Sequence, residues 1–150
     1  MLYFAYGSNL KHQQMESRCP GSKYIKNYYL RDYELCFCWN GTGRSDGVAN
    51  IIENSGSYVP GALWEISKKN KRKLDKCEGF NLNPKVYNSD KFELDGKEVI
   101  FYILNSNKCE KRDPTDKYVN IITQGYKDCN LEMEYLIKIL RKQNYNIKSF

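Results

Sequence analysis

The chain has one histidine, His12, and no C-x-x-C pair, so it lacks the clustered ligands from which a four-ligand zinc site is built. Nowhere do eighteen apolar residues follow one another, which excludes an ordinary membrane-crossing helix. The first residues read as a strand and not as a charged segment leading into an apolar run, so no secretory leader is expected. Internal repeats, low-complexity tracts and linkers are also absent. A convincing Ser-His or Cys-His pair is missing too. Cys77 with His12 as base is the pairing to weigh, but a cysteine beside Leu74 on the apolar face of a helix reads as buried and inert. These absences point to a cytoplasmic protein with reduced thiols and no membrane partner, although six cysteines leave a disulfide form open.

What is present is a globular composition, with 41% hydrophobic and 14% aromatic residues. A length of 150 residues suits one domain spanning 1–150, able to bury roughly two-thirds of its unfolded surface. Thirteen tyrosines against six phenylalanines mean that much of the aromatic surface carries a hydroxyl in need of a partner, which makes tyrosine a poor marker of function here. The net charge of +6 is spread along the chain. Its basic clusters at 68–73 and 138–142 read as solvated helix faces, and no aromatics interleave with them as a nucleic-acid site would require.

Leu2, Phe4 and Tyr6 alternate with Tyr3 and Ala5, the period of a strand, and Gly7 ends it. Asn9 is placed to cap a short helix running to about Arg18. Tyr24 to Trp39 gives two aromatic-rich stretches, and strands are expected at Gly47 to Ile52 and at Tyr58 to Ile66, separated by a turn at Glu53-Asn54-Ser55-Gly56. Ser67 caps a helix over Lys68 to Cys77 that stops at Gly79. Asp95-Gly96 is a two-residue hairpin signal between strands Lys85 to Leu94 and Lys97 to Leu104. Helices are expected over Tyr118 to Gln124 and Leu131 to Lys142, giving an α+β domain dominated by strands.

Two places carry chemistry. Tyr6-Gly7-Ser8-Asn9 lies where a strand hands over to a helix, so it is either a plain turn or a set of backbone N–H groups converging on a carboxylate or oxyanion. Glu78 sits at a helix C-terminus, where the macrodipole disfavours a carboxylate by a few tenths to about 1 kcal/mol. If Phe80 and the aromatic strands also shield it from water, its pKa rises toward that of a proton-shuttling base; otherwise it is a solvated surface glutamate.

In their order and spacing, Tyr3 to Leu10, Gly47-Val48-Ala49-Asn50-Ile51, Gly61-Ala62-Leu63-Trp64-Glu65-Ile66, Leu74-Asp75-Lys76-Cys77-Glu78-Gly79-Phe80, Tyr118 to Gly125 and Leu131 to Tyr135 resemble the gamma-glutamylcyclotransferase (AIG2-like) family over nearly the whole chain. The resemblance implies a small mixed β-barrel with flanking helices, often a homodimer. It implies a cofactor-free and metal-free enzyme that turns a γ-glutamyl amide into 5-oxoproline and a free amine. By position, Tyr3, Phe4, Ala5, Tyr6, Gly7, Ser8 and Asn9 would bind the small γ-glutamyl substrate, Glu78 would be catalytic, and Tyr102 would match a substrate-contacting tyrosine. Two departures bear on leaving-group specificity: Tyr126 after Gly125, where the family has a small residue at the pocket mouth or a partner contact, and Asn81-Leu82-Asn83-Pro84. A non-catalytic binder of a γ-glutamyl or other carboxylate ligand is the closest rival reading, and a basic nucleic-acid-binding module the third.

Overall fold

A strand that alternates in sequence can still be buried on both faces if it lies in the middle of a sheet, and β1 (Leu2–Ala5) does. It pairs antiparallel with β3 (Val48–Glu65), Phe4 opposite Leu63, and parallel with β5 (Lys97–Leu104), Tyr3 opposite Ile100. Tyr3, Phe4 and Ala5 are consequently all buried. The computed structural model describes residues 1–42, 45–79, 86–104 and 109–147. Five strands run in the order β2-β3-β1-β5-β4, with β2 (Lys23–Cys38) and β4 (Tyr87–Leu94) at the edges.

The two edges meet through side chains. Tyr28 of β2 stacks on Phe92 of β4 with centroids 5.5 Å apart, and Phe92 also packs on Phe4 and Phe101. No backbone ladder among the described residues joins β2 to β4, so the expected barrel is a strongly curled open sheet.

The expected breaks within the long hairpin are bulges. The expected Tyr24 to Trp39 stretches form the single strand β2, which ends at Cys38, and the expected turn at 53–56 lies inside continuous β3. Between the pairs Arg31↔Tyr58 and Tyr33↔Glu53 the register shifts, Asp32 and Gly56 take positive φ of 66° and 84°, and Gly56 N–H donates to Asp32 Oδ1. The turn-forming residues are accommodated as a bulge, which bends the hairpin without ending it.

Helix α2 (Lys68–Cys77) carries the expected cap in reciprocal form. Ser67 Oγ accepts from Asn70 N–H at 3.0 Å, and Asn70 Oδ1 accepts from Ser67 N–H at 3.1 Å. At the tail, α3 (Asp116–Asp128) is longer than expected because Thr115 caps it, and α4 (Met133–Lys142) starts two residues late. Asp95 and Gly96 take φ of 51° and 75° and turn β4 into β5, as the sequence indicates. Lys85, expected to begin β4, lies outside the described residues.

Two cysteine expectations are corrected. Cys38, buried like Cys36, is joined to Cys109 in a disulfide, so not all thiols are free. Cys77 is exposed: three residues on a helix leave it about 60° round from buried Leu74. No helix among the described residues is long and apolar enough to cross a membrane.

Candidate active site

The end of β1, the end of α2 and the middle of β5 line a cavity of about 490 Å³. After Ala5 the chain enters a short 3₁₀ turn (Ser8–Leu10), and Gly7 before it lies against β3: a Cβ there would stand 3.0 Å from Ala49 Cβ. The Ala49 backbone in turn orients two tyrosines of the wall. Its N–H donates to Tyr118 Oη at 3.1 Å, and its carbonyl accepts from Tyr87 Oη at 2.8 Å.

Asn9 caps no helix, contrary to expectation. Helix α1 (His12–Arg18) begins later, at N-cap Lys11, because the 3₁₀ turn intervenes. Asn9 is instead buried and fully engaged at the cavity. Its Nδ2 donates to Tyr3 Oη at 3.0 Å, while its Oδ1 accepts from Arg18 Nη1 at 2.9 Å and Gln14 Nε2 at 3.1 Å. This amide links the tyrosine of β1 to the cation of α1.

Glu78 is the C-cap of α2, its N–H donating to Leu74 O at 2.9 Å, and Gly79 leaves the helix with φ 65°. The carboxyl lines the cavity beside Tyr3, Tyr6 and Tyr102. Loss of solvent pushes its pKa up to about 7, with the Arg18 charge opposing the rise. Its charge acts on its neighbours: Tyr3 and Tyr6 are pushed well above the ordinary phenol value, first by burial and then by Glu78. Phe80, expected to supply the shielding, lies outside the described residues.

Tyr102, on β5, is buried and is held at both ends. Its carbonyl accepts from Tyr6 Oη, and its own hydroxyl donates to Asp75 Oδ1 at 2.5 Å. Lys71 Nζ lies 3.0 Å from both Asp75 oxygens.

Of the residues singled out in the sequence, Tyr3, Phe4, Tyr6, Gly7, Ser8, Asn9, Glu78 and Tyr102 all border this one cavity. Ala5 does not. It is buried in the sheet opposite Ala62, and its carbonyl lies where a Cβ on Gly61 would stand 2.4 Å away. Residues that the sequence reading missed are Arg18, Tyr87, Tyr118 and Asp75. The two tyrosines were hidden among thirteen. Asp75 carried a usable signal, since three residues before Glu78 on one helix puts it on a neighbouring face.

His12 packs between Tyr24 and Trp64, with ring centroids 4.8 and 5.1 Å away, and does not border the cavity as a base for Cys77. Tyr126 is not at the pocket mouth, since it is fully buried. Asn81-Leu82-Asn83-Pro84 lies outside the described residues. The sulfurs of Cys36, Cys38 and Cys109 lie within 4.8 Å of one another, but the disulfide leaves one free thiol among them. Chemically, the cavity offers one carboxyl that changes protonation near neutrality and several protonated phenols around it.

The family model for gamma-glutamyl cyclotransferase, AIG2-like, matches residues 3–121. The chain is 32% identical over 144 residues to a human gamma-glutamylcyclotransferase, covering 92% of this chain and 76% of that protein, and 30% identical over 148 residues to the mouse one, with the same coverage. A solved structure of a gamma-glutamyl cyclotransferase superposes with a TM-score of 0.78 at 28% identity, covering 99% of this chain and 89% of the other. YkqA from Bacillus subtilis shares the fold at 20% identity with a TM-score of 0.73, over 99% of this chain and 56% of that one. The chain therefore belongs to the gamma-glutamyl cyclotransferase, AIG2-like family.

Proposed function

We propose that this protein is a γ-glutamyl cyclotransferase: it converts a small γ-glutamyl amide into 5-oxoproline and the free amine, with Glu78 as general base and then general acid. The observation that carries the reading is a carboxyl with a pKa of about 7 on the same cavity as the Gly7-Ser8 turn. A volume of about 490 Å³ is within the usual range for small-ligand clefts and ample for a glutamyl group.

In this mechanism Glu78 takes a proton from the substrate's α-ammonium. The freed amine attacks the γ-carbonyl carbon, forming the ring C–N bond. Glu78 then returns this proton to the departing nitrogen as the original amide C–N bond breaks, takes the second proton from the ring nitrogen, and passes it to the freed amine, which leaves as an ammonium beside the neutral lactam of 5-oxoproline. Near pH 7 one carboxyl serves both steps, because neither of its protonation states is strongly favoured. The first N–H groups of a helical turn have no acceptor within that turn, so Ser8 and Asn9 are the donors assigned to the developing oxyanion. The Ser8 hydroxyl, with Tyr3 and Tyr6, is assigned to the polar ends of the glutamyl moiety. Holding the flexible chain folded supplies much of the acceleration of an intramolecular attack.

We read residues 1–150 as one domain needing neither metal nor cofactor. A cytoplasmic location agrees with the four free cysteines, while the Cys38–Cys109 disulfide stands against it. A panel of γ-glutamyl amino acids and amines assayed for 5-oxoproline tests the function and identifies the leaving group. Equimolar 5-oxoproline and amine are expected from at least one compound. Saturable binding without product from any of them would establish the non-catalytic reading instead.

A further inference from the structure

We propose that Asp75 is a positioning residue that fixes Tyr102 as a hydrogen-bond acceptor, so that the Tyr102 oxygen holds the α-ammonium of the γ-glutamyl substrate next to Glu78. The inference rests on the cyclotransferase reading and specifies how that site chooses its substrate.

A phenol has one proton to donate, and an ionised carboxylate can only accept. With Tyr102 Oη 2.5 Å from Asp75 Oδ1, the tyrosine proton is committed to Asp75, which pairs with Lys71 at 3.0 Å from both of its oxygens. Any hydrogen bond that Tyr102 makes with a ligand must therefore be accepted by its oxygen. Burial and the Asp75 bond both push the Tyr102 hydroxyl far above the ordinary phenol value, so it stays protonated and does not compete as a base. Ring and backbone are fixed as well: Tyr3 packs edge-on at 6.0 Å, and Tyr6 Oη binds the Tyr102 carbonyl.

A neutral acceptor beside a titrating carboxyl suits a group with several N–H donors that must surrender one proton. On a γ-glutamyl substrate that group is the α-ammonium. Tyr102 accepts one N–H and Glu78 takes another, which aims the nitrogen without neutralising it prematurely. Asp75 itself does not border the cavity, so it acts through Tyr102.

The test compares γ-glutamyl-alanine as substrate with glutaryl-alanine, which lacks the α-amine, as competitive inhibitor. Wild type, Asp75→Asn, Tyr102→Phe and the double variant are measured, each checked for folding by thermal denaturation. In Asp75→Asn the Lys71 ammonium draws the amide oxygen, so the amide NH₂ faces Tyr102 and turns the phenol proton into the cavity. Each single variant should raise KM for γ-glutamyl-alanine about tenfold and leave the inhibition constant of glutaryl-alanine within about twofold. The double variant should be no worse than Tyr102→Phe. Equal shifts for both compounds, no shift in either single variant, or additive losses in the double variant would each overturn the proposal. If Asp75→Asn does not fold, Tyr102→Phe alone decides it by the same split between the two compounds. Failure of the wild type to make 5-oxoproline would instead remove the cyclotransferase reading beneath it.

Discussion

Glu78 occupies a position where two independent effects disfavour its charge: the C-terminal end of α2, and a cavity that takes it out of water. In the fold it holds its proton up to about pH 7, whereas its ordinary value is 4.5. Between these values the folded state binds more protons than the unfolded chain, so stability falls as pH rises. The contribution is fully present below the unfolded value and is lost as pH passes through the folded one. Glu78→Gln, which cannot ionise, should match the wild type in chemical denaturation near pH 4 and be more stable by about 3 kcal/mol near pH 8. Equal stability at both would mean that the carboxylate is hydrated. As a base it must be ionised, so kcat/KM should fall on the acid side with an apparent pKa of about 7. Glu78 stood out as a candidate in the sequence because a carboxylate at a helix C-terminus breaks a local rule, whereas the Gly7-Ser8 turn reads equally well as a plain turn and was singled out by the family resemblance. Asp75 did not stand out, since its partnership with Tyr102 joins residues 27 apart on different elements.

At the scale of elements, the sequence signals for α2 and the Asp95-Gly96 hairpin were sufficient because caps and tight turns are decided locally. The β2–β3 hairpin was misjudged for the opposite reason. Turn-forming residues at 53–56 became a bulge, since two long strands pairing on either side override a local preference. Helix α3 shows a similar conflict at Gly125. Glycine inside a helix costs about 1 kcal/mol relative to alanine, so Gly125→Ala would ordinarily stabilise. Here the added Cβ would lie 2.4 Å from Leu10 Cβ and 2.8 Å from the backbone at Leu10 and Lys11, and overpacking costs about 1–3 kcal/mol. A net loss of up to about 2 kcal/mol is expected by thermal unfolding. Activity should drop as well, because Leu10 ends the 3₁₀ turn that borders the cavity. A stabilised, fully active variant would show that the turn tolerates displacement.

At the scale of the whole molecule, the fold brings together four segments far apart in the chain: the first strand and its turn, the end of α2, β5 and the start of α3. The α+β class could be read from alternation and caps, but the closing of the curled sheet by Tyr28 on Phe92 could not, because it depends on curvature and not on any local pattern. The disulfide was likewise unreadable, with Cys38 and Cys109 separated by 71 residues. Closing so long a loop restricts the unfolded chain, and reduction should lower stability in urea by about 2–4 kcal/mol. An unchanged midpoint with and without reductant would mean that the bond is not formed in solution. The most direct test of the central claim is 5-oxoproline release from γ-glutamyl-alanine by wild type and Glu78→Gln, with substrate binding measured calorimetrically for both. The account predicts 5-oxoproline and alanine in equal amounts from the wild type, and a rate at least about 10²-fold lower in Glu78→Gln with binding retained. A Glu78→Gln variant that forms 5-oxoproline at the wild-type rate would contradict it.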